Sequence, residues 1–144
     1  MNAAEIAGLL GRSYPLLLLD GVTSIEPGLG CQAFKNLTYN EWFFPSHFPK
    51  NPIMPGALQI EAFTQAVAVP LLVEKAANAN GDIPILLAGV EKARFFEPVI
   101  PGQKFEILVE IKRIAMGVAS AVAVGTVAER RVSECQITYK LIGY

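Results

Sequence analysis

The sequence predicts an α+β domain in which a curved antiparallel sheet wraps around one long central helix. Three observations carry this. The stretch Ala57 to Ala77 has apolar residues at helical spacing on every side, not along one stripe, which is the pattern of a helix buried all round. The chain after it is rich in Val, Ile, Phe and Thr, in runs of strand length separated by turns, so a meander of strands follows the helix. The 144 residues, 52% hydrophobic and 17% charged, suffice for one domain with a genuine core. No internal repeat or linker divides them, so residues 1–144 read as a single domain.

Taken in order, Ala3 to Leu10 is a short amphipathic helix with Ile6, Leu9 and Leu10 on one side and Gly11 closing it. Tyr14-Pro15 ends it. The continuous apolar run Leu16 to Leu19, stopping at Asp20-Gly21, reads as a buried strand entering a turn. Pro27-Gly28 makes the next turn, and Gln32 to Leu37 alternates as a half-buried strand does. Pro55 suits the first position of the long helix, Pro70 should kink or break it, and Asn78-Ala79-Asn80-Gly81 ends it. Strands are then expected at Ile83 to Ala88, Glu91 to Phe96, Lys104 to Ala115, Val118 to Val127 and Arg131 to Ile142. In the third of these, Phe105, Ile107, Val109 and Ile111 should form the dry face.

Several function classes drop out early. A net charge of -1 lacks the clustered basic surface that nucleic-acid binding needs. Apolar runs such as Ala66 to Val73 fall well short of the roughly 20 residues of a membrane span. The segment Met1 to Leu10 has no basic start and too short an apolar stretch for a signal peptide, so a cytoplasmic location is expected. Cys31 and Cys135 form no Cys-x-x-Cys pair and there is one histidine, so no metal site is expected and both thiols read as small packed hydrophobes. The high apolar content suggests an oligomer interface or an apolar substrate tunnel.

The residues suited to chemistry cluster around Asn40 to Pro55. This stretch holds four of the ten prolines, four aromatics and the sole histidine. Prolines so dense exclude both helix and sheet, and a rigid aromatic loop of this length points to function. Glu61 is the only charged residue between Pro55 and Val73, inside the helix predicted to be buried. A carboxyl there must be partnered or protonated, and burial favours the neutral acid that a proton donor requires. Gln65, one turn on, can hydrogen-bond it. His47, braced by Pro49, Pro52 and Pro55, can fold back toward the start of the helix, giving a general base opposite a general acid. The Gly56 N–H at the helix start suits a developing thioester enolate oxygen. Against this stand plainer readings: a structural or surface histidine, and a glutamate paired with an arginine across a dimer interface.

The run Ser46-His47-Phe48-Pro49-Lys50-Asn51-Pro52-Ile53-Met54-Pro55-Gly56-Ala57-Leu58, continuing to Glu61-Ala62 and Gln65, resembles the signature of the 3-hydroxyacyl-[acyl-carrier-protein] dehydratases of fatty acid synthesis. Tyr14-Pro15 to Leu19-Asp20, Ala93-Arg94-Phe95 and Pro98 to Gly102 resemble further segments of that family, in the same order. The resemblance implies a hot-dog fold. It implies His47 as the base that takes the C2 proton, Glu61 as the acid that protonates the departing 3-hydroxyl, Gly56 as the carbonyl-holding N–H, and Gln65 as the residue that orients Glu61. Phe48 and Pro55 would line the substrate site. It also implies an acyl carrier protein as partner, no cofactor, and a homodimer whose two sites each combine histidine and acid from different subunits, with a trimer of dimers as a larger assembly. Glu at position 61, rather than Asp, resembles the branch that dehydrates without isomerising.

The chain departs from the family pattern at Ser46 and Lys50, where glycines are usual, at Arg12-Ser13-Tyr14-Pro15, where the family has His-Arg-Tyr-Pro, and at Phe96 and Glu97, where basic residues are usual. None falls on the proposed pair. They leave open the carrier-docking surface and acyl preference, and a specialised polyketide-like pathway stands beside fatty acid synthesis. Lys50, Lys92, Arg94 and Lys104 are the cations available to steer an acidic carrier, or are plain surface residues. The rival functions are a hot-dog thioesterase, which lacks such a histidine loop, and a non-catalytic acyl-binding module. An Asp-x-x-x-x-His hydratase is disfavoured because the chain has no such pair.

Overall fold

The computed structural model describes residues 1–78 and 85–142. Helix α1 (Ala3–Leu10) begins with a reciprocal cap: the Asn2 side chain accepts from Glu5 N, and Glu5 accepts from Asn2 N. It ends at Gly11, whose φ of 60° is one that glycine adopts freely. Ile6 is fully buried, and Leu9 and Leu10 pack against the core as expected.

Strands β1 (Gly21–Glu26) and β2 (Gly30–Asn36) form a hairpin around Pro27-Gly28, with Gly28 at φ 68°. Helix α2 (Gly56–Asn78) follows, then β3 (Ile85–Phe95), β4 (Lys104–Ala115), β5 (Val118–Val127) and β6 (Arg130–Leu141). All pairings are antiparallel, in the order β1-β2-β4-β5-β6-β3. The β4–β5 turn places Met116 and Gly117 at positive φ, and the β5–β6 turn does so with Ala128 and Glu129, the two-residue geometry that matches strand twist. Helix α2 packs against the sheet from β1 to β6, and every residue from Ala62 to Leu71 is buried. The expected architecture is present: a sheet around a central helix, the hot-dog fold. On β4, Phe105, Ile107 and Val109 are buried, while Leu108, Glu110 and Lys112 are exposed.

Three expectations need correction. Leu16 to Leu19 is not a strand; the first strand begins at Gly21, where the turn was expected. Leu18 and Leu19 are buried, but part of the segment's backbone is satisfied by a side chain of α2 rather than by a ladder. The two strands expected around residues 83–88 and 91–96 are one strand, β3, kept continuous by irregularities between Leu87 and Gly89 and between Glu91 and Arg94, with Lys92 at φ 51°. Residues 83 and 84 lie outside the described residues, as does most of the segment expected to end α2. Finally, over Gly56–Ala76 α2 is long and apolar enough to cross a membrane by length and composition, contrary to the count of uninterrupted runs; 61% of an 18-residue stretch within it is buried in the protein, which marks it as the core helix.

Pro70 neither stops nor interrupts α2. A proline there cannot donate to the carbonyl of Ala66 one turn back. The Cys31 thiol donates to that carbonyl instead, at 3.2 Å, and the Gly28 N–H donates to the Pro70 carbonyl at 3.1 Å. The β1–β2 hairpin is thereby fixed to the helix at its proline.

Cys31 and Cys135 are free and buried, as expected. Burial pushes both thiols up to about 12, aided at Cys135 by the charge of Glu134. The unfolded thiols ionise near the ordinary 9.0. The protonated form is therefore favoured by folding: the contribution is complete below pH about 9 and is lost as pH rises toward about 12. Native protein is expected to resist alkylation by iodoacetamide at pH 8 and to lose urea resistance progressively above about pH 9. Rapid alkylation of either thiol in native buffer would contradict this packing.

Candidate active site

The loop from Leu37 to Pro55 is held to the sheet by a buried lysine. Lys35 Nζ, on β2, lies 2.9 Å from Glu41 Oε1 and 3.9 Å from Asp20 Oδ2. From Glu41 the chain turns in steps of three, with Phe44 N donating to Glu41 O and His47 N donating to Phe44 O. Phe43 and Phe44 are buried beneath, edge to face at 4.7 Å. The chain returns through Ile53 N to His47 O at 2.8 Å and Met54 N to Val99 O at 2.7 Å. The histidine is thus set on a braced loop whose prolines exclude regular structure.

His47 is partly buried, and its Nδ1 lies 3.1 Å from the Ile53 carbonyl. A carbonyl oxygen only accepts, so this contact places the hydrogen on Nδ1 and leaves the lone pair on Nε2, the form a general base needs. Phe48 stacks on the imidazole with ring centroids 4.4 Å apart, across a cis peptide, and is itself half exposed.

Helix α2 begins at Gly56, one residue after the position expected, with the Pro55 carbonyl accepting from Leu58 N and Gln59 N. As the first helical residue, Gly56 has an N–H with no acceptor within the helix. The Phe95 ring from β3 lies across it so closely that a Cβ at position 56 would meet ring atoms at 2.9–3.0 Å. Glycine is needed here because an aromatic ring occupies the side-chain space.

Glu61 is not sealed in the core as expected. Its side chain is 28% exposed and lines a cavity of ≈ 210 Å³ with Leu10, Arg12, Gln65, Leu72, Leu86 and Tyr139 among its walls. Gln65 Nε2 donates to Glu61 Oε1 at 2.9 Å, the contact expected from the spacing. The same amide donates to Leu16 O at 2.6 Å, while Gln65 Oε1 accepts from Leu18 N at 3.0 Å. One side chain therefore holds both the acid and the segment 16–18. The expected alternative of an arginine across an interface is replaced by one in the same chain: Arg12 Nη1 lies 3.6 Å from Glu61 Oε1. Both neighbours approach Oε1 and both only donate, so a carboxyl proton must sit on Oε2. Tyr139, on β6 at the floor of the cavity, donates to Thr64 O at 3.0 Å; burial pushes its phenol up.

Glu61, Gln65 and the cavity thus come together in one chain. His47 is not among the residues that line that cavity. Arg12 and the anchoring lysine Lys35 were not singled out for these roles from sequence. Arg12 lies 49 positions from Glu61, where no periodicity reports contact, and its one visible sign was the altered Arg12-Ser13-Tyr14-Pro15 motif. Among the described residues no group of three or more His, Cys, Asp or Glu could hold a metal ion.

The fold, the histidine loop and the acid on the core helix define a class, and comparison with known proteins names it. A family profile described as a FabA-like domain matches residues 10–136; the chain belongs to this family. Within it, the chain is 39% identical over 137 residues to the 3-hydroxyacyl-[acyl-carrier-protein] dehydratase FabZ of Clostridium tetani, covering 95% of this chain and 94% of that one. The FabZ of Myxococcus xanthus is 42% identical over 135 residues, covering 93% and 87%. Among solved structures, the dehydratase heterocomplex ApeI:P from Xenorhabdus doucetiae superposes with a TM-score of 0.77 at 14% identity, over 94% of this chain and 90% of that one. The PaaI protein of E. coli gives 0.68 at 10% identity, over 96% and 88%. At such identities these two show the fold alone.

Proposed function

We propose that this protein is a 3-hydroxyacyl-[acyl-carrier-protein] dehydratase of fatty acid synthesis, converting (3R)-3-hydroxyacyl thioesters to trans-2-enoyl thioesters. The observation that carries the reading is the acid half-site: a part-exposed carboxyl whose Oε1 accepts from Gln65 and which lines a cavity with largely apolar walls. His47 Nε2 removes the C2 proton, and the C–H electrons pass through the enolate to form the C2=C3 bond. Glu61 Oε2 delivers its proton to the 3-hydroxyl, whose C–O bond breaks to release water. The Gly56 N–H, at the positive end of α2, holds the thioester oxygen as charge develops there. Imidazolium and carboxylate remain, and a net proton transfer between them through water restores the enzyme. Pro55 and Phe48 shape the entrance beside these groups.

In this reading the base reaches the acid from a second copy of the chain. Strand β3 is an edge of the sheet and exposes Leu86, Leu87 and Phe95; an apolar edge strand of this kind is a surface for pairing. We place the enzyme in the cytoplasm as a homodimer, with trimers of dimers as the larger assembly, acting on substrates carried by an acyl carrier protein that its surface cations would steer.

The test is a spectroscopic assay of enoyl thioester formation from 3-hydroxyacyl substrates on carrier protein and on coenzyme A. Enoyl product without released thiol, at a rate unaffected by a chelator, is the expected result. Thiol release without enoyl product would instead assign the chain to the thioesterases.

A further inference from the structure

Arg12 places a cation where the acid–base pair requires none. It follows the Gly11 cap of α1, and its side chain is 46% exposed at the mouth of the Glu61 cavity. The groups facing Glu61 are Arg12 from the segment after α1, Gln65 and Thr64 from α2, and Tyr139 from β6, which senses the charges of both Glu61 and Arg12. From β3 the lining is apolar, Ile85 to Leu87.

A general acid changes charge as it acts, beginning neutral and ending as a carboxylate. The Arg12 guanidinium, 3.6 Å from Oε1, is placed to pair with the charge that forms. We propose that Arg12 is a positioning residue for the acid: with Gln65 it occupies Oε1, so that Oε2 bears the transferable proton, and it stabilises the carboxylate left when water departs. Because Arg12, Gln65 and Glu61 belong to one chain, this half of the site is set before any second subunit arrives. The inference rests on Glu61 being the acid.

The experiment compares Arg12→Gln, Arg12→Lys and Glu61→Gln in the intact protein, by steady-state kinetics that separate kcat from KM and by thermal melting. An ion pair this exposed is modest, so Arg12→Gln should lower kcat by about 3- to 5-fold with KM little changed. Arg12→Lys should recover most of the lost kcat. If Arg12→Gln keeps the wild-type kcat while Glu61→Gln is inactive, Arg12 has no part in the step. A lower melting temperature with no recovery of kcat in Arg12→Lys assigns it to the fold alone and equally overturns the proposal. An active Glu61→Gln removes the acid assignment itself, a failure distinct from the other two.

Discussion

Replacing His47 with alanine is expected to lower kcat/KM for dehydration by about 10²–10⁴-fold while leaving the protein folded. The two halves of that expectation have separate grounds. The ring makes one hydrogen bond, from Nδ1 to the Ile53 carbonyl, and one stacking contact, with the half-exposed Phe48. The loop keeps its backbone bonds without the ring: Ile53 N to His47 O, Asn51 N to Phe48 O and Met54 N to Val99 O. It also keeps Phe43 and Phe44 in the core and the Lys35–Glu41 ion pair beneath it. What is lost is the group with a lone pair on Nε2, and among the side chains of this chain no second imidazole can replace it. Circular dichroism and melting curves check the fold, and the enoyl assay checks the rate. A His47→Ala protein that turns over at the wild-type rate would remove the histidine from the mechanism.

Much of this arrangement was legible in the sequence, because the physical cause was local. The dry face of β4 follows from strict alternation at Phe105, Ile107 and Val109, and α1 from its amphipathic pattern and its Gly11 stop. The Glu61–Gln65 contact follows from one helical turn of spacing. What escaped was set by distant partners. Leu16 to Leu19 looks like a strand because it is apolar, yet Gln65, 49 positions from Leu16, takes the Leu16 carbonyl and the Leu18 N–H, while Leu16 N and Leu17 N turn back to Ser13 O. The continuity of β3 across Gly89 and Lys92 depends on β6 tolerating irregular register. Pro70 reads as a break, yet a thiol 35 positions from Ala66 occupies the carbonyl the proline leaves vacant. Glu61 looks sealed from its neighbours in sequence, and only the cavity at α1 and β3 opens it.

Glu61→Gln should lose as much activity as His47→Ala, because the amide retains the shape but has no acidic proton to give. The sharper expectation concerns a mixture of the two inactive proteins. In one chain Glu61 faces a cavity walled by Leu10, Leu72 and Leu86, and His47 stands outside it. If the missing base comes from the second subunit, a heterodimer of the two variants contains one site with both wild-type groups and one with neither. Random exchange makes about half the dimers mixed, and half of their sites are intact, so about a quarter of wild-type activity should return. Neither parent shows it, and the recovery should grow with time as subunits exchange, which separates it from contamination. A mixture that exchanges subunits, verified by mass-tagged chains, and yet stays as inactive as its parents would mean that base and acid serve the same protomer.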